Sequence, residues 1–119
     1  MSYATTNPYT GEVVKTFPDA TDAEIIQAIE DANTAFLAWR KTPFAGRAKI
    51  MQKAADLLRK DVDAYAKLLT LEMGKLTSEA KAEVELSADI FEYYAKNAEK
   101  LLTPEKLPVA DLADRRRRH

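Results

Sequence analysis

The sequence predicts a mainly α-helical protein of three to four helices, one of them long, with a small N-terminal β-hairpin. Two observations support this fold class. Apolar residues recur at spacings of three and four through most of residues 21–102, the period of one helix face. Before them, a turn sequence separates two β-branched stretches, as in a hairpin. We therefore divide the chain into a ribbon (1–20), a helical layer (21–102) and an extended or disordered tail (103–119).

The hairpin is predicted by the turn Asn7-Pro8-Tyr9-Thr10-Gly11. Asn accepts local backbone hydrogen bonds, Pro presets φ, and Gly permits a positive φ. The flanks, residues 3–6 and 12–17, are rich in β-branched and aromatic side chains. A two-stranded ribbon is marginal in water by itself, so we expect it to lie against another part of the protein.

The first helix is predicted to start at a capping box, in which Thr21 caps the helix and Glu24 reaches back to it. Pro43 is expected to end this helix. Its apolar face is spaced by four, three, four and three residues along Ile25, Ile29, Ala32, Phe36 and Trp39.

A second and a third helix are predicted between Pro43 and Gly74. Thr42 suits the N-cap and Pro43 the first position of the second helix, whose stripe is Phe44, Ala48, Met51, Ala55 and Leu58. Asp61 is expected to cap the third helix, and Gly74 to end it in the left-handed conformation. Alternatively, both segments form one helix kinked at residues 60–61, because neither Pro nor Gly separates them.

The fourth predicted helix is the longest, from a cap at Thr77 or Ser78 to Leu102. Such a helix spans about 36 Å, so part of its apolar face should extend beyond its own bundle. A chain of this length can bury roughly two-thirds of its unfolded surface. For packing or partner contacts we select seven residues: Phe36, Trp39, Val84, Ala88, Phe91, Tyr94 and Leu101.

Composition excludes most catalytic chemistry from this stretch. There is no Cys, and the one His is the terminal His119, so thiol nucleophiles and His or Cys metal sites are absent. Only three glycines occur, and neither a dinucleotide-binding nor a Walker glycine pattern is present. We therefore predict no catalytic, cofactor-binding or metal-binding residue.

Charged residues are interpreted as solvated. Acidic residues of the fourth helix form i,i+4 pairs, Lys81 with Glu85 and Glu92 with Lys96, on the polar face. Ser87 on the stripe can admit a neighbouring helix or bond back to the i−4 carbonyl. The run Arg115–Arg118 lacks interleaved aromatics and is interpreted as a solvated tail without nucleic-acid binding. No membrane span or secretory signal is expected, and the absence of Cys fits a cytoplasmic protein.

Four segments occur in the order found in aldehyde dehydrogenases, and the sequence resembles that family from residue 3 to about 110. The segments are NPYTGEVV (7–14), AFLAWRKTPFAGRA (35–48), LTLEMGKL (69–76) and EVELSADIFEYYAKNAEKLL (83–102). In detail they look most like the bacterial NAD(P)-dependent succinate-semialdehyde dehydrogenases. The resemblance implies the N-terminal part of an α/β enzyme, a ribbon and a helical layer packed on a dinucleotide-binding domain.

The resemblance also implies a mechanism whose parts are not in this sequence. In the family, a cysteine thiolate attacks the aldehyde, hydride passes to NAD or NADP, and a glutamate activates water. We therefore expect an N-terminal fragment that binds no cofactor and is inactive alone. Two alternatives stay open: a non-enzymatic helical interaction or oligomerisation module, and a subunit that completes an enzyme in trans. The expected partners are a second copy, pairing through the long helix, or the remainder of a dehydrogenase.

Overall fold

The computed structural model describes residues 3–107. It confirms a mainly helical chain with one small antiparallel sheet. The six elements in chain order are β1 (Tyr3–Thr6), β2 (Val13–Phe17), α1 (Asp22–Trp39), α2 (Phe44–Lys60), α3 (Val62–Met73) and α4 (Thr77–Leu102). Helix α4 ends at Leu102, as predicted, and residues 103–107 are non-helical. The predicted tail beyond residue 107, with its four arginines, lies outside the described residues.

The ribbon is a β1–β2 hairpin with a register shift between Thr5 and Thr6. Its turn has the predicted chemistry, because the Asn7 side chain accepts from the Tyr9 amide at 2.9 Å and Gly11 has a φ of 75°. The ribbon approaches the helices at Gly74, where an added Cβ would lie 3.0 Å from the Pro8 ring. The turn therefore meets the junction between α3 and α4.

The capping box predicted at the start of α1 is confirmed, because both of its hydrogen bonds are present. The Glu24 amide donates to the Thr21 hydroxyl at 3.3 Å, and the Thr21 amide donates to the Glu24 carboxylate at 2.8 Å. The bond from the Thr21 amide, and then the bond that the Thr21 hydroxyl donates to the same carboxylate, hold the pKa of Glu24 below its ordinary value. The first turn of α1 is thereby fixed by its own sequence.

The N-caps predicted for α2 and α4 are wrong. Thr42 belongs to the turn that ends α1, since its amide donates to the Trp39 carbonyl, and Pro43 takes the N-cap position of α2. Leu76, rather than Thr77 or Ser78, precedes the first helical residue of α4. None of these helix starts has a side-chain cap bond.

Asp61 takes the predicted N-cap position of α3, at the break from α2, but its side chain makes no cap bond. Its amide donates to the Leu57 carbonyl and its carbonyl accepts from the Tyr65 amide, so backbone bonding continues through the break. The two helices therefore form one rod interrupted at a single residue, close to the kinked alternative. Gly74 ends the rod with a φ of 70°, as predicted.

The rod of α2 and α3 packs antiparallel along α4. The start of α2 lies beside the end of α4, and Asp63 near the start of α3 meets Lys81 near the start of α4. Small side chains allow the helices to approach closely. The buried residues of this three-helix layer are Ala55, Ala66, Ala80, Val84 and Ala88.

The chain is open rather than compact. Its radius of gyration is 22.9 Å, whereas about 13 Å is usual for a compact domain of about 100 residues. Its accessible surface is 10,528 Å², against about 6,500 Å² for a compact protein of this mass and about 19,000 Å² for the unfolded chain. The chain therefore buries less than the two-thirds that a compact chain of this length can bury, because large apolar side chains lack cover within the chain.

Candidate interaction surfaces

The first candidate surface is the α1 face, defined as the apolar side chains Ile25, Ile26, Ile29, Phe36 and Leu37. Ile25 is 49% exposed, Ile29 65% and Phe36 55%. Within residues 3–107 no other helix or strand packs along α1. A contiguous apolar stripe of this kind on a soluble protein marks a contact surface.

The second candidate surface is the end groove, an open cleft of about 420 Å³ where the end of α1, the start of α2 and the end of α4 meet. Trp39 and Tyr94 remain about half exposed in it. The Arg47 guanidinium lies 4.4 Å from the centre of the Phe44 ring, and its buried Nε has no acceptor in the described part of the chain. The main apolar lining is Trp39, Phe44, Met51, Tyr94, Ala98 and Leu102.

The seven residues selected from the sequence separate into two groups. Val84 and Ala88 are buried inside the three-helix layer, where they pack within the chain and offer no surface to a partner. Phe91 is half-buried. The four others are exposed and belong to or adjoin the two candidate surfaces: Phe36, Trp39, Tyr94 and Leu101.

Sequence reasoning missed the breadth of these surfaces. Ile26 follows Ile25 of the predicted α1 stripe, Leu37 follows Phe36 of the same stripe, and both Ile26 and Leu37 are about half exposed. They widen the apolar side of α1 well beyond one narrow seam. On α4, Ile90 and Tyr93 are also exposed and form a shallow cleft outside the predicted stripe. Apolar residues next to stripe positions in the sequence could have indicated these wider apolar surfaces.

An ion-pair cluster ties α2 to α4. The Arg59 guanidinium donates to Asp89 at 2.8 Å and to Glu92 at 2.7 Å, while Lys96 donates to Glu92 at 2.8 Å. The bonds from Lys96 and then Arg59 lower the pKa of Glu92 to about 2. Asp89 and then Glu92 raise the pKa of Arg59 above its ordinary value. The predicted Glu92–Lys96 pair is thus present, but as part of an interhelical cluster.

The other predicted pair differs. Lys81 donates to Asp63 of α3 at 2.6 Å, and this bond raises its pKa. Lys81 pairs with Asp63 because α3 runs alongside the start of α4. The sequence pattern did not specify that neighbour. Lys75 likewise pairs with Glu83 across the α3–α4 junction. The Ser87 hydroxyl donates to the Glu83 carbonyl at 2.8 Å, one of its two predicted roles.

The described residues do not fit a dinucleotide or a metal. A dinucleotide's pyrophosphate is bound at a glycine-rich turn from a parallel strand into a helix. Here the strand-to-helix connection, Pro18–Thr21, contains no glycine, and the strands are antiparallel. No group of three His, Cys, Asp or Glu side chains suited to a metal occurs within residues 3–107. No helix in that range is long and apolar enough to cross a membrane.

The β-ribbon and the three-helix layer leave two apolar surfaces uncovered, and these features define a layer that packs against other protein. The sequence profile of the aldehyde dehydrogenase family matches residues 1–118. The chain belongs to the aldehyde dehydrogenase family. The expected family membership and fold are both confirmed.

Relatives within the family carry a more particular name. The chain is 50% identical over 107 residues to a succinate-semialdehyde dehydrogenase [NADP(+)] of Deinococcus radiodurans, covering 90% of this chain and 22% of the relative. It is 49% identical over 110 residues to succinate-semialdehyde dehydrogenase [NADP(+)] 1 of Mycobacterium tuberculosis, covering 92% and 24%.

A solved structure gives the same comparison in three dimensions. The crystal structure of succinic semialdehyde dehydrogenase from Streptococcus pyogenes, in complex with NADP+ as the cofactor, superimposes with a TM-score of 0.81 at 40% identity, covering 89% of this chain and 24% of that chain. The chain therefore spans about a quarter of the length of the relatives it matches.

Proposed function

We propose that this chain supplies the N-terminal helical layer of an NAD(P)-dependent aldehyde dehydrogenase of the succinate-semialdehyde type. The observation that carries the proposal is the 50% identity over 107 residues to an enzyme of that name. The parent reaction oxidises an aldehyde to a carboxylate. We further propose that the chain acts in the cytoplasm, because a sequence without Cys fits a reducing compartment.

The role proposed for the chain in that reaction is structural. The α1 face and the end groove expose large apolar side chains, including Phe36 and Trp39, which are about half exposed. Covering such side chains is worth roughly 25 cal/mol per Å² of apolar surface. A larger enzyme body packed on these surfaces would gain that energy, and a carbonyl from it would satisfy the Nε of Arg47.

The chemistry is proposed to reside outside this chain. The family reaction needs a thiolate nucleophile, and the sequence of 119 residues contains no Cys. The described residues also do not form a dinucleotide cradle. NAD or NADP would therefore bind to the remainder of the enzyme, and the chain alone would have no turnover.

The test supplies that remainder in trans. The D. radiodurans relative, shortened by the segment that this chain matches, is mixed with the chain, and reduction of NADP+ by succinate semialdehyde is followed. We expect no reduction by either polypeptide alone and restored reduction in the mixture. Turnover by the isolated chain would overturn the proposal of inactivity.

Matched variants assign the contact. Phe36→Asp introduces a charge into the α1 face and should abolish restoration, whereas Lys67→Asp, at an exposed position of α3, should leave it intact. The exposed surfaces also favour a second candidate, a helical interaction module without enzymatic partner. No binding of the chain to the remainder would favour that candidate over the first.

A further inference from the structure

The β-ribbon has little support from the helices. Its sheet consists of β1 and β2 alone, and within residues 3–107 neither strand packs along a helix. The ribbon meets the helices at its turn, where Pro8 lies against Gly74. A two-stranded ribbon is marginal in water and is usually stabilised by a third strand or by a covering helix. In the described part of the chain, the outer edge of each strand is therefore free to pair.

The turn shows which backbone groups of β1 lie on its outer edge. The Asn7 amide donates to the Glu12 carbonyl at 2.9 Å, so the backbone of Asn7 faces the β2 side. Successive residues of an antiparallel strand face alternately toward and away from the partner strand. Counting back from Asn7, Thr5 faces β2, whereas Ala4 and Thr6 face away from it. The outer edge of β1 thus presents two amides and two carbonyls, since each residue carries one of each.

The two edges of the ribbon differ in their protection against pairing. Proteins blunt an edge strand with a charged side chain, a proline or a β-bulge. β2 has two of these devices, the Lys15 side chain and a bulge at Val14, which the register skips. β1 reads Tyr-Ala-Thr-Thr and has no charge and no proline. The edge of β1 is therefore the one that is open to a further strand.

We propose that the outer edge of β1 takes an extended strand from the body of the enzyme, which turns the ribbon into a three-stranded sheet. Strand addition of this kind is held by main-chain hydrogen bonds between the edge and the added segment. The inference rests on the proposed function, which supplies that body. It goes further because it assigns a third contact, made by backbone groups, to a part of the chain distant from the α1 face.

The short length of β1 favours this occupant over a second copy. Its four residues span about 13 Å, and the two that face outward, Ala4 and Thr6, offer four backbone groups. A stable contact between separate proteins takes about 800 Å² from each partner, far more than this edge provides. The added strand must therefore belong to a polypeptide that other surfaces already hold. The enzyme body proposed to cover the α1 face and the end groove meets this condition.

Paired proline variants test the edge. Ala4 lies opposite Thr16 across the ribbon, and directly opposite residues of an antiparallel pair both face inward or both face outward. Proline removes a backbone N–H and is tolerated at such edge positions, so Ala4→Pro and Thr16→Pro each remove one outward amide and keep the β1–β2 bonds. We expect Ala4→Pro to weaken binding to the shortened D. radiodurans relative about tenfold, and Thr16→Pro to change it by less than about twofold.

Hydrogen exchange of the wild-type chain reads the same edge without a substitution. We expect the amides of Ala4 and Thr6 to exchange freely in the isolated chain and to become protected when the relative binds, while the Thr16 amide stays unprotected. Equal binding by the two proline variants, or an unprotected Ala4 amide in the bound chain, would overturn the strand addition and leave the proposed function standing.

Two further outcomes separate the alternatives. A wild-type chain that does not bind the relative would overturn the proposed function and the strand addition together. Protection of the Ala4 amide in the isolated chain that disappears on dilution would assign the edge to a second copy and overturn the proposed occupant.

Discussion

The three-helix layer and α1 are both amphipathic, yet the apolar side of the layer contains buried residues whereas that of α1 is exposed. Residues buried in the layer are small, such as Ala55 and Ala88, and ion pairs from Arg59 and Lys81 hold the helices together. The α1 face consists of large side chains, such as Ile29 and Phe36, and all of them are exposed. The difference teaches that an apolar stripe identifies a contact surface without saying whether its cover lies in the same chain.

The largest expected effect lies in the layer. Ala88 is fully buried, so Ala88→Leu overfills the contact of α4 with the rod and should lower the free energy of unfolding by about 1–3 kcal/mol. Ala28→Leu makes the same change at an exposed position of α1 and should stay within about 0.5 kcal/mol. Urea denaturation at fixed chain concentration measures both, and equal costs would contradict the contrast between the regions.

The contact between ribbon and layer predicts the next effect. Gly74→Ala combines a left-handed residue, costing roughly 1–2 kcal/mol, with a Cβ only 3.0 Å from the Pro8 ring. In a Pro8→Ala background the cost should fall to the backbone strain alone, which a double-mutant cycle by urea denaturation resolves. Gly11→Ala, with φ of 75° and no atom within 4 Å of its added Cβ, is the control. Zero coupling between positions 8 and 74 would show that the turn does not touch the junction.

Removing a helix cap should change the stability of the two regions by different, smaller amounts. Thr21→Ala removes a bond of the capping box of α1 and should cost about 1 kcal/mol of helix stability. Thr77→Ala, at a helix start without a side-chain cap, should cost much less. Circular dichroism during thermal unfolding compares the two, and the reverse order would contradict the assigned caps.

The smallest effect concerns pH. The pKa of Glu92 is lowered from 4.5 to about 2 in the folded chain, so its ionised form stabilises the layer fully above pH 4.5. This contribution is lost as the pH falls from 4.5 toward 2. Glu92→Gln should therefore flatten the loss of stability in that window, whereas Glu85→Gln, at an exposed position of α4, should not. An unchanged acid transition in Glu92→Gln would refute the role of the cluster.

Much of the fold was predictable because its signals are local. The turn at Asn7–Gly11, the capping box at Thr21 and the left-handed Gly74 each depend on neighbouring residues alone, and the sequence predicts them correctly. The N-cap predicted at Thr42 was wrong, because Thr42 lies in the turn that ends α1, where its amide donates to the Trp39 carbonyl. Asp61 does take the N-cap position of α3, but its side chain makes no cap bond. Residue type alone does not show whether a side chain reaches the free amides of the following helical turn.

The sequence identified apolar residues that make contacts, but it did not show which of them are buried within the chain and which are exposed. Phe36, Trp39 and Tyr94 were selected and are exposed, but Val84 and Ala88 were selected for the same spacing and are buried. Helical period reports the direction of a side chain relative to its own helix and nothing about which helix lies beside it. The pairing of Lys81 with Asp63, in place of Glu85, has the same cause.

Hydrogen exchange of backbone amides, measured on the isolated chain and on its mixture with the shortened relative, tests most directly the claim that the layer is self-sufficient while α1 depends on outside cover. Amides that open locally exchange faster than those requiring global unfolding. We predict that amides of α2 and α4 are protected in the isolated chain, and that amides of α1 become protected when the remainder of the enzyme covers the α1 face. Equal protection of α1 and α4 in the isolated chain would contradict the account.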